Sequence, residues 1–364
     1  MSWQYRYDDL ISGRQRGAVA ALARAALAAL AWPYGGAVRL RNLYYDRWPG
    51  ACLRLPVPVI SVGNLTVGGT GKTPLVAWLA RWYLARGLPV TILSRGYGGR
   101  AGQPNDEALE LARSVPQAAH VQHPDRRVAA QKALADQPRQ ILLLDDGFQH
   151  RRVARDLDIV LMDALQPWGY GRLLPRGRLR EPAASLRRAD VVSLSRSDLV
   201  TAQQREAVRR EVAALAPHAL WIELVHRPQA WISTEGRTLP LEALRGAAVA
   251  AFCGLGNPEG FWRTLASCGV CVVDQRAWPD HCPYGPAEQT ALHHWATRTP
   301  ATHLVCTQKD FVKLQQSEIA GKPLWALQIE LDVVRGREEL EKRLAALATS
   351  VELARPQPAN RSCP

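Results

Sequence analysis

The sequence has few acidic residues for its size: 33 aspartates and glutamates stand against 46 lysines and arginines in 364 residues. The resulting net charge of +13 indicates an acidic partner, such as a nucleotide, a nucleic acid, an anionic lipid or a phosphorylated substrate. The basic residues are mostly scattered arginines, and the aromatic-rich basic cluster of a nucleic-acid-binding module is missing. The sequence therefore argues against a nucleic-acid partner.

Paired cysteines are also missing. The seven cysteines are odd in number and lie in mostly apolar surroundings, which predicts reduced thiols in a cytosolic protein. Cys268 and Cys271 have C-x-x-C spacing, but no second pair with matching spacing follows. We therefore interpret them as two small core residues on a strand rather than as a zinc or redox site.

The most informative stretch is PVISVGNLTVGGTGKTP, residues 58–74. A short β-branched run predicts a buried strand, and a loop with three glycines, Lys72-Thr73 and a helical pattern follow. In this layout backbone N–H groups and a helix N-terminus bind phosphate, Lys72 reaches the β- and γ-phosphates, and the Thr73 hydroxyl ligates Mg²⁺. We predict a nucleoside triphosphate site formed by Thr66, Val67, Gly68, Gly69, Thr70, Gly71, Lys72 and Thr73.

This loop departs from the strict P-loop pattern, because Thr66 stands where a glycine is expected five residues before Gly71. It is close to the variant loops of P-loop ATPases of the partitioning type.

The third predicted strand, residues 141–144, ends in the carboxylates Asp145 and Asp146, as in a Walker B segment. An acid at this position can hold Mg²⁺ or its water opposite Thr73. The sequence therefore predicts a magnesium site formed by Thr73, Asp145 and Asp146.

A glycine- and arginine-rich loop follows the second predicted strand, residues 89–93. The carboxyl ends of strands in open α/β sheets are where ligands bind. Arg95 could hold phosphate there, and Asp106 or Glu107 could act as a base; a solvated loop without either role is the alternative.

The longest apolar stretch, residues 17–32, is rich in alanine and leucine and contains Arg24. As a helix it would be ~24 Å long, shorter than the ~30 Å hydrocarbon core, which argues against a transmembrane span. A signal peptide has a similar composition, but export would separate the nucleotide site from its nucleotide. We predict an amphipathic helix that lies on an anionic membrane surface or packs against the protein.

Alternating strands and helices predict an α/β fold, with a P-loop domain and a smaller α/β domain. Residues 220–225 and 324–331 alternate like strands and are expected to pair as a two-strand linker. The predicted boundaries are 1–40 for the N-terminal helix, 41–218 for the P-loop domain, 219–334 for the smaller domain and 335–364 for a helix and tail.

The sequence resembles the tetraacyldisaccharide 4'-kinase (lipid A 4'-kinase, LpxK) family over roughly residues 40–335. Single motifs are unspecific, but here several occur in the same order. The resemblance is carried by residues 62–74, 94–98, 145–150, 174–182, 252–258, 280–284 and 307–310.

This resemblance implies transfer of the ATP γ-phosphoryl group to the 4'-hydroxyl of an acylated glucosamine disaccharide at the cytoplasmic face of the inner membrane, with ATP and Mg²⁺ as cofactors. It also implies that Asp106 is the catalytic base and is paired with His281 across the interdomain cleft, while Lys72 neutralises charge. The expected substrate-binding residues are Ser94, Arg95, Tyr97, Glu107, Gln149, His150 and Glu181. We expect a monomer.

Two positions depart from the family pattern. The family's Gly-Asp-Glu-Pro segment reads Asn105-Asp106-Glu107-Ala108 here, and its second histidine after His281 is Cys282.

A P-loop ATPase switch of the partitioning or metallochaperone type is the main alternative, because it uses the same loop but needs no acceptor base. Asp106→Ala separates the two, since it should abolish a kinase and leave a switch largely intact. A nucleotide-binding scaffold without chemistry is disfavoured by the paired acids after the third strand.

Overall fold

The computed structural model describes residues 3–96, 106–256, 258–280 and 282–353. The helices are α1 (Trp3–Ser12), α2 (Ala18–Arg47), α3 (Lys72–Leu84), α4 (Asp106–Ser114), α5 (Arg126–Asp136), α6 (Ala202–Leu215), α7 (Pro258–Ser267), α8 (Pro286–Arg298), α9 (Gln308–Leu314) and α10 (Arg337–Leu353). The strands are β1 (Val59–Asn64), β2 (Val90–Ser94), β3 (Ala119–Gln122), β4 (Ile141–Asp145), β5 (Leu157–Asp163), β6 (Val191–Ser195), β7 (Leu220–Ile232), β8 (Thr238–Pro240), β9 (Ala248–Cys253), β10 (Cys271–Ala277), β11 (His303–Thr307), β12 (Glu318–Ile319) and β13 (Lys322–Arg335).

One continuous sheet runs through the molecule. Its strand order is β10-β9-β11-β13-β7-β6-β5-β1-β4-β2-β3, while β8 pairs with β7 and β12 pairs with β13. The central strands β1, β4, β5 and β6 are parallel and buried along their whole length, as expected for strands covered on both faces. The predicted α/β fold is confirmed.

The two long strands β7 and β13 connect the halves of the sheet. The first residues of β7 pair in parallel with β6, and its remainder pairs antiparallel with β13 from Glu223 to Ile232. The other end of β13 pairs in parallel with β11. The predicted two-strand linker is therefore present and is hydrogen-bonded to both halves. We call the part from β8 to β12 the second unit; the division at residues 218 and 219 stays a prediction.

Helices cover both faces of the central strands. On one face, apolar side chains of β1, β4 and β5 pack against α3 and the C-terminal helix α10. The Tyr83 hydroxyl of α3 donates a hydrogen bond of 3.0 Å to the Leu344 carbonyl of α10. This packing fixes α3, whose first turn follows the glycine loop.

The N-terminal helix is longer than predicted. It continues through Pro33 to Arg47, so its length is about 45 Å rather than ~24 Å. By length and composition, α2 is the one helix in the described part of the chain that meets the requirements for crossing a membrane. Its most apolar window is only 11% buried, and large apolar side chains such as Val19, Leu22 and Trp32 are exposed.

The cysteine prediction is partly wrong. Cys268 is buried but follows α7 in a turn, and Cys271 is exposed at the start of β10. They are therefore not two core residues of one strand. The described cysteines are all free thiols, and the described residues contain no cluster of three or more histidine, cysteine, aspartate or glutamate side chains that could hold a metal ion.

Candidate active site

A cleft of about 930 Å³ lies between the carboxyl ends of the central strands and the second unit. Its walls include the predicted P-loop, the ends of β2 and β4, and loops at the ends of β9 and β11. Among the described residues, nine basic and four acidic side chains line it. This excess of positive charge suits an anionic ligand such as a nucleotide.

The P-loop (residues 66–73) has the backbone that an anion cradle needs. Gly68 and Gly71 have φ values of 117° and 88°, a region that L-residues with side chains rarely adopt. Gly71 caps α3 in the left-handed conformation, and a Cβ there would lie 2.9 Å from the His226 ring and 3.0 Å from Ser195 Oγ. Both the backbone conformation and the lack of room for a Cβ therefore require glycine at this position.

The loop of residues 174–182 runs along one side of the P-loop. The Val67 amide donates to the Arg178 carbonyl at 2.8 Å, and the Arg180 amide donates to the Leu65 carbonyl at 2.7 Å. Thr66 forms a β-bridge with Leu179 and is buried. Thr66 therefore holds the loop in place from behind, whereas Val67–Thr73 line the cleft.

Asp146 lies at the centre of a charged cluster. Both of its carboxylate oxygens accept hydrogen bonds from Arg180, at 2.9 and 2.8 Å, and the Lys72 ammonium lies 3.4 Å away. Burial alone would raise the pKa of Asp146, but Lys72 and Arg180 outweigh it and lower the pKa to about 2. The same Arg180 donates to Gln149 Oε1 at 3.3 Å. The structure thus brings the predicted Lys72, Asp146 and Gln149 together.

Asp145 is held by a buried arginine. Arg126, at the first position of α5, is 2% exposed and donates to the Asp145 and His123 carbonyls, each at 3.0 Å. Asp145 itself is 2% exposed and lines the cleft with Thr73. The backbone at the end of β4 is therefore fixed where the sequence predicts a metal-binding acid.

Ser94, Arg95 and His150 also line the cleft. The Ser94 hydroxyl lies 2.8 Å from His120 Nε2 and accepts a hydrogen bond of 3.2 Å from Gln122. Burial and the nearby Arg126 lower the pKa of His150 to about 4, so this histidine is neutral at physiological pH.

Glu181 does not line the cleft. Its side chain is fully buried, with Oε1 accepting from Arg41 at 2.7 Å and Oε2 accepting from Asn42 and Arg188, each at 2.9 Å. Burial would raise the pKa of Glu181, but Arg188, Asn42 and Arg41 lower it below its usual value. Glu181 therefore ties α2 to the 174–182 loop, a position that favours a packing role over the predicted contact with substrate.

Part of the predicted site lies outside the described residues. These are Tyr97 and His281, together with the side chains of Asp106 and Glu107. The backbone of Asp106 begins α4, which packs against α3 and against α9 of the second unit. The sequence pattern predicts a loop at Asp106, and the helix is a correction to that expectation.

The second unit presents a fixed set of polar groups to the cleft. Asp280 Oδ1 accepts from Lys309 Nζ at 2.8 Å. The neighbouring Asp310 is fully buried and accepts hydrogen bonds from the Gly254 amide, the Tyr284 hydroxyl and the Thr307 hydroxyl. These bonds hold three loops of the second unit in one arrangement.

Several cleft residues are not apparent from the sequence. Tyr34, Arg41 and Tyr45 of α2 line the cleft, although the sequence predicts only a membrane or packing role for α2. Nothing in the sequence indicates that Arg126 and His226 line the cleft, because neither belongs to a motif. Burial and the nearby Arg196 lower the pKa of His226 to about 3, so this histidine is neutral where it lies beside the P-loop.

Comparison with known proteins agrees with this geometry. A model of the family described as tetraacyldisaccharide-1-P 4'-kinase (LpxK) matches residues 23–349. The chain belongs to this family. Among its relatives is the tetraacyldisaccharide 4'-kinase of Anaeromyxobacter dehalogenans strain 2CP-C, 39% identical over 360 residues that cover 93% of this chain and 94% of the relative. The kinase of Geobacter sulfurreducens is 41% identical over 343 residues, covering 89% and 94%.

A solved structure supports the same assignment. The chain resembles the crystal structure of Aquifex aeolicus LpxK in complex with ATP, with a TM-score of 0.68 and 29% sequence identity. The match covers 89% of this chain and 99% of the Aquifex chain. The 4'-kinase family and its P-loop fold, both expected from the sequence motifs, are confirmed.

Proposed function

We propose that this protein transfers the γ-phosphoryl group of ATP to the 4'-hydroxyl of a tetraacyldisaccharide 1-phosphate, a step of lipid A biosynthesis. The observation that carries the proposal is a single cleft that joins the P-loop, the paired acids at the end of β4 and the polar loops of the second unit. Phosphoryl transfer needs positioning and charge neutralisation more than covalent chemistry, and this cleft offers both.

The cations of the cleft are suited to phosphate. Lys72 belongs to the P-loop, and Arg180 is held beside it through Asp146. Their charges would balance the β- and γ-phosphates of ATP, whose negative charge is spread over equatorial oxygens during transfer. Because Asp146 keeps both cations on one carboxylate, they are oriented before the nucleotide arrives.

Thr73, Asp145 and Asp146 are suited to Mg²⁺. Their hydroxyl and carboxylate oxygens are the hard donors that Mg²⁺ prefers, and the ion usually completes its shell with phosphate oxygens and water. All three line the cleft. When bound, Mg²⁺ would neutralise charge on the transferred phosphate.

We infer the roles of Asp106 and His281 from the family pattern and from the position of α4. The N-terminus of α4 is formed by Asp106, and α4 packs on α9, whose Lys309 binds Asp280, the neighbour of His281. The family pattern pairs these two residues. Asp106 would accept the proton of the 4'-hydroxyl, and His281 would orient it.

Helix α2 supports a lipid acceptor. Tyr34, Arg41 and Tyr45 on one face line the cleft, while large apolar side chains such as Leu30 and Trp32 are exposed. A helix with this distribution lies in the membrane interface, and the net positive charge favours an anionic leaflet. We propose that α2 holds the protein on the cytoplasmic face of the inner membrane and that the cleft meets the lipid there.

The test compares variants of the predicted machinery with radiolabelled ATP, Mg²⁺ and the detergent-solubilised lipid. Lys72→Met should abolish lipid labelling, and Asp106→Asn should lower it at least about a hundredfold while leaving ATP binding within twofold. Glu110→Gln is the matched control, since it removes another carboxylate of α4 that lines the cleft. Equal losses in Asp106→Asn and Glu110→Gln would contradict the assignment of the base.

A P-loop ATPase switch gives a different result. In that case Asp106→Asn would leave ATP hydrolysis unchanged, and label would appear as inorganic phosphate whether or not lipid is present.

A further inference from the structure

An arginine outside the 174–182 loop also holds the P-loop. Arg196, directly after β6, donates from Nη2 to the Gly69 carbonyl at 3.1 Å and from Nη1 to Asp163 Oδ2 at 2.6 Å. The side chains of Arg196 and Asp163 are only 11% and 8% exposed, and Arg196 lines the cleft. One guanidinium therefore bridges the P-loop and the end of β5.

The backbone at Arg196 is in a region that non-glycine residues seldom occupy, with φ 57° and ψ 39°. Such outliers persist only where surrounding contacts enforce them. Here the following turn is fixed, because the Ser197 hydroxyl donates to the Leu224 carbonyl at 3.1 Å and Arg205 donates to the Ser197 and Val200 carbonyls. The fold thus maintains an unfavourable backbone conformation at the residue that reaches the P-loop.

The second unit contacts the same guanidinium. A Cβ added to Gly260 of α7 would lie 2.8 Å from Arg196 Nε and 3.2 Å from Cδ. The arginine cannot easily move aside, because its Nη1 and Nη2 are held by Asp163 and Gly69. Gly260 therefore allows α7 to pack directly on the group that holds the P-loop.

Holding one carbonyl of the P-loop has a consequence for its amides. A trans peptide bond is planar, so the Thr70 N–H points away from the Gly69 carbonyl. By fixing the carbonyl, Arg196 fixes the direction of one of the amides that a P-loop offers to phosphate.

We propose that Arg196 is a positioning residue for nucleotide binding, which sets the orientation of the Gly69–Thr70 peptide and links it to the position of α7. The proposal rests on the proposed function, since it assumes that the P-loop binds ATP. Arg196 then acts on affinity for ATP rather than on the lipid or on the chemical step.

The first test is Arg196→Lys, which keeps the charge that pairs with Asp163 but replaces the planar fork by a single ammonium. Losing the hydrogen bond to Gly69 should raise the KM for ATP about fivefold. The kcat and the KM for the lipid should stay within about twofold, because an interaction that is equally strong in the ground state and the transition state affects KM alone. Direct titration with ATP should show the same loss of affinity.

Arg337→Lys is the matched control. Arg337 likewise joins one carboxylate to one backbone carbonyl, donating to Asp332 at 2.7 Å and to the Val333 carbonyl at 3.3 Å, and these residues do not line the cleft. It should leave the KM for ATP within about twofold. Equal rises in the KM for ATP in both variants would show a general structural effect and overturn the proposal.

Gly260→Ala tests the link to the second unit without removing the ion pair, and it remains informative if Arg196→Lys fails to fold. Its Cβ would press on the guanidinium that Asp163 and Gly69 hold, and the resulting strain should raise the KM for ATP. If both changes act through one contact, the double variant should be no worse than the weaker-binding single variant. If the rises in the KM for ATP of the two single variants multiply in the double variant, the coupling is refuted. A wild-type protein that does not bind ATP would instead refute the proposed function.

Discussion

The motif that contains Glu181 predicts one role for this residue, and its surroundings in the structure favour another. The sequence predicts a substrate contact, whereas the structure surrounds its carboxylate with Arg41, Asn42 and Arg188. We predict that Glu181→Gln destabilises the fold and loosens α2. The amide can accept a hydrogen bond through one atom only, and its NH₂ group would face donors.

The size of the effect follows from burial. Removing one partner of a buried ion pair costs about 3–5 kcal/mol, and the partly exposed Arg41, at 39%, places Glu181 at the lower end. With an unfolding entropy of about 2.1 cal/mol/K per residue over 364 residues, each kcal/mol lowers the Tm by about 1.3 °C, so the Tm should fall by at least about 4 °C. Thermal unfolding measures the Tm, and limited trypsin digestion should show faster cleavage within α2.

Asp46→Asn is the matched control for this prediction. Asp46 is also on α2 and also pairs with two arginines, Arg151 at 2.7 Å and Arg187 at 2.6 Å, but its side chain is 28% exposed. Its loss should cost no more than about 1 kcal/mol. If Glu181→Gln keeps the wild-type Tm and raises only the KM for the lipid, Glu181 contacts substrate and the packing explanation is wrong.

Three further predictions concern pH, packing and the membrane. The free energy of unfolding should fall as pH drops below about 6.5, because folded His226, with its pKa of about 3, stays neutral while His226 of the unfolded chain takes up a proton. This histidine should lower the free energy of unfolding by about 1.4 kcal/mol per pH unit. Urea unfolding at several pH values measures this slope, and His226→Gln should reduce it. Gly63→Ala should prevent soluble expression, since its Cβ would lie 2.5 Å from Phe148 Cβ beneath the P-loop. Replacing exposed Leu30 and Trp32 by glutamine should weaken sedimentation with anionic vesicles at least about tenfold, and unchanged sedimentation would contradict the role of α2.

The P-loop and the acids after β4 could be predicted because their chemistry is local. A β-branched run, glycines and Lys72-Thr73 describe both the backbone and the ligand that it binds. The same holds for Asp145 and Asp146 at the end of an apolar run. These features depend on residues that are adjacent in sequence, so they can be recognised without knowledge of the three-dimensional fold.

Other features depend on packing between distant segments and left no signal. The apolar run that indicates α2 ends at Trp32, and Pro33 disfavours a helix interior. The helix nevertheless continues, and tertiary contacts such as the hydrogen bond from Tyr34 to the Arg180 carbonyl hold its second half. Arg126 is one of many scattered arginines, and only the fold shows that it is buried against Asp145. Likewise, nothing in the sequence indicated that Glu181 would be enclosed by three donors.

The most direct measurement is a single turnover, with enzyme in excess over γ-labelled ATP, in the presence of Mg²⁺ and saturating tetraacyldisaccharide 1-phosphate. We predict that nearly all of the label is recovered in the lipid, at the 4' position, and that it remains in ATP when the lipid is omitted. Recovery of the label as inorganic phosphate, at the same rate with and without lipid, would contradict the claim that this cleft phosphorylates a lipid alcohol.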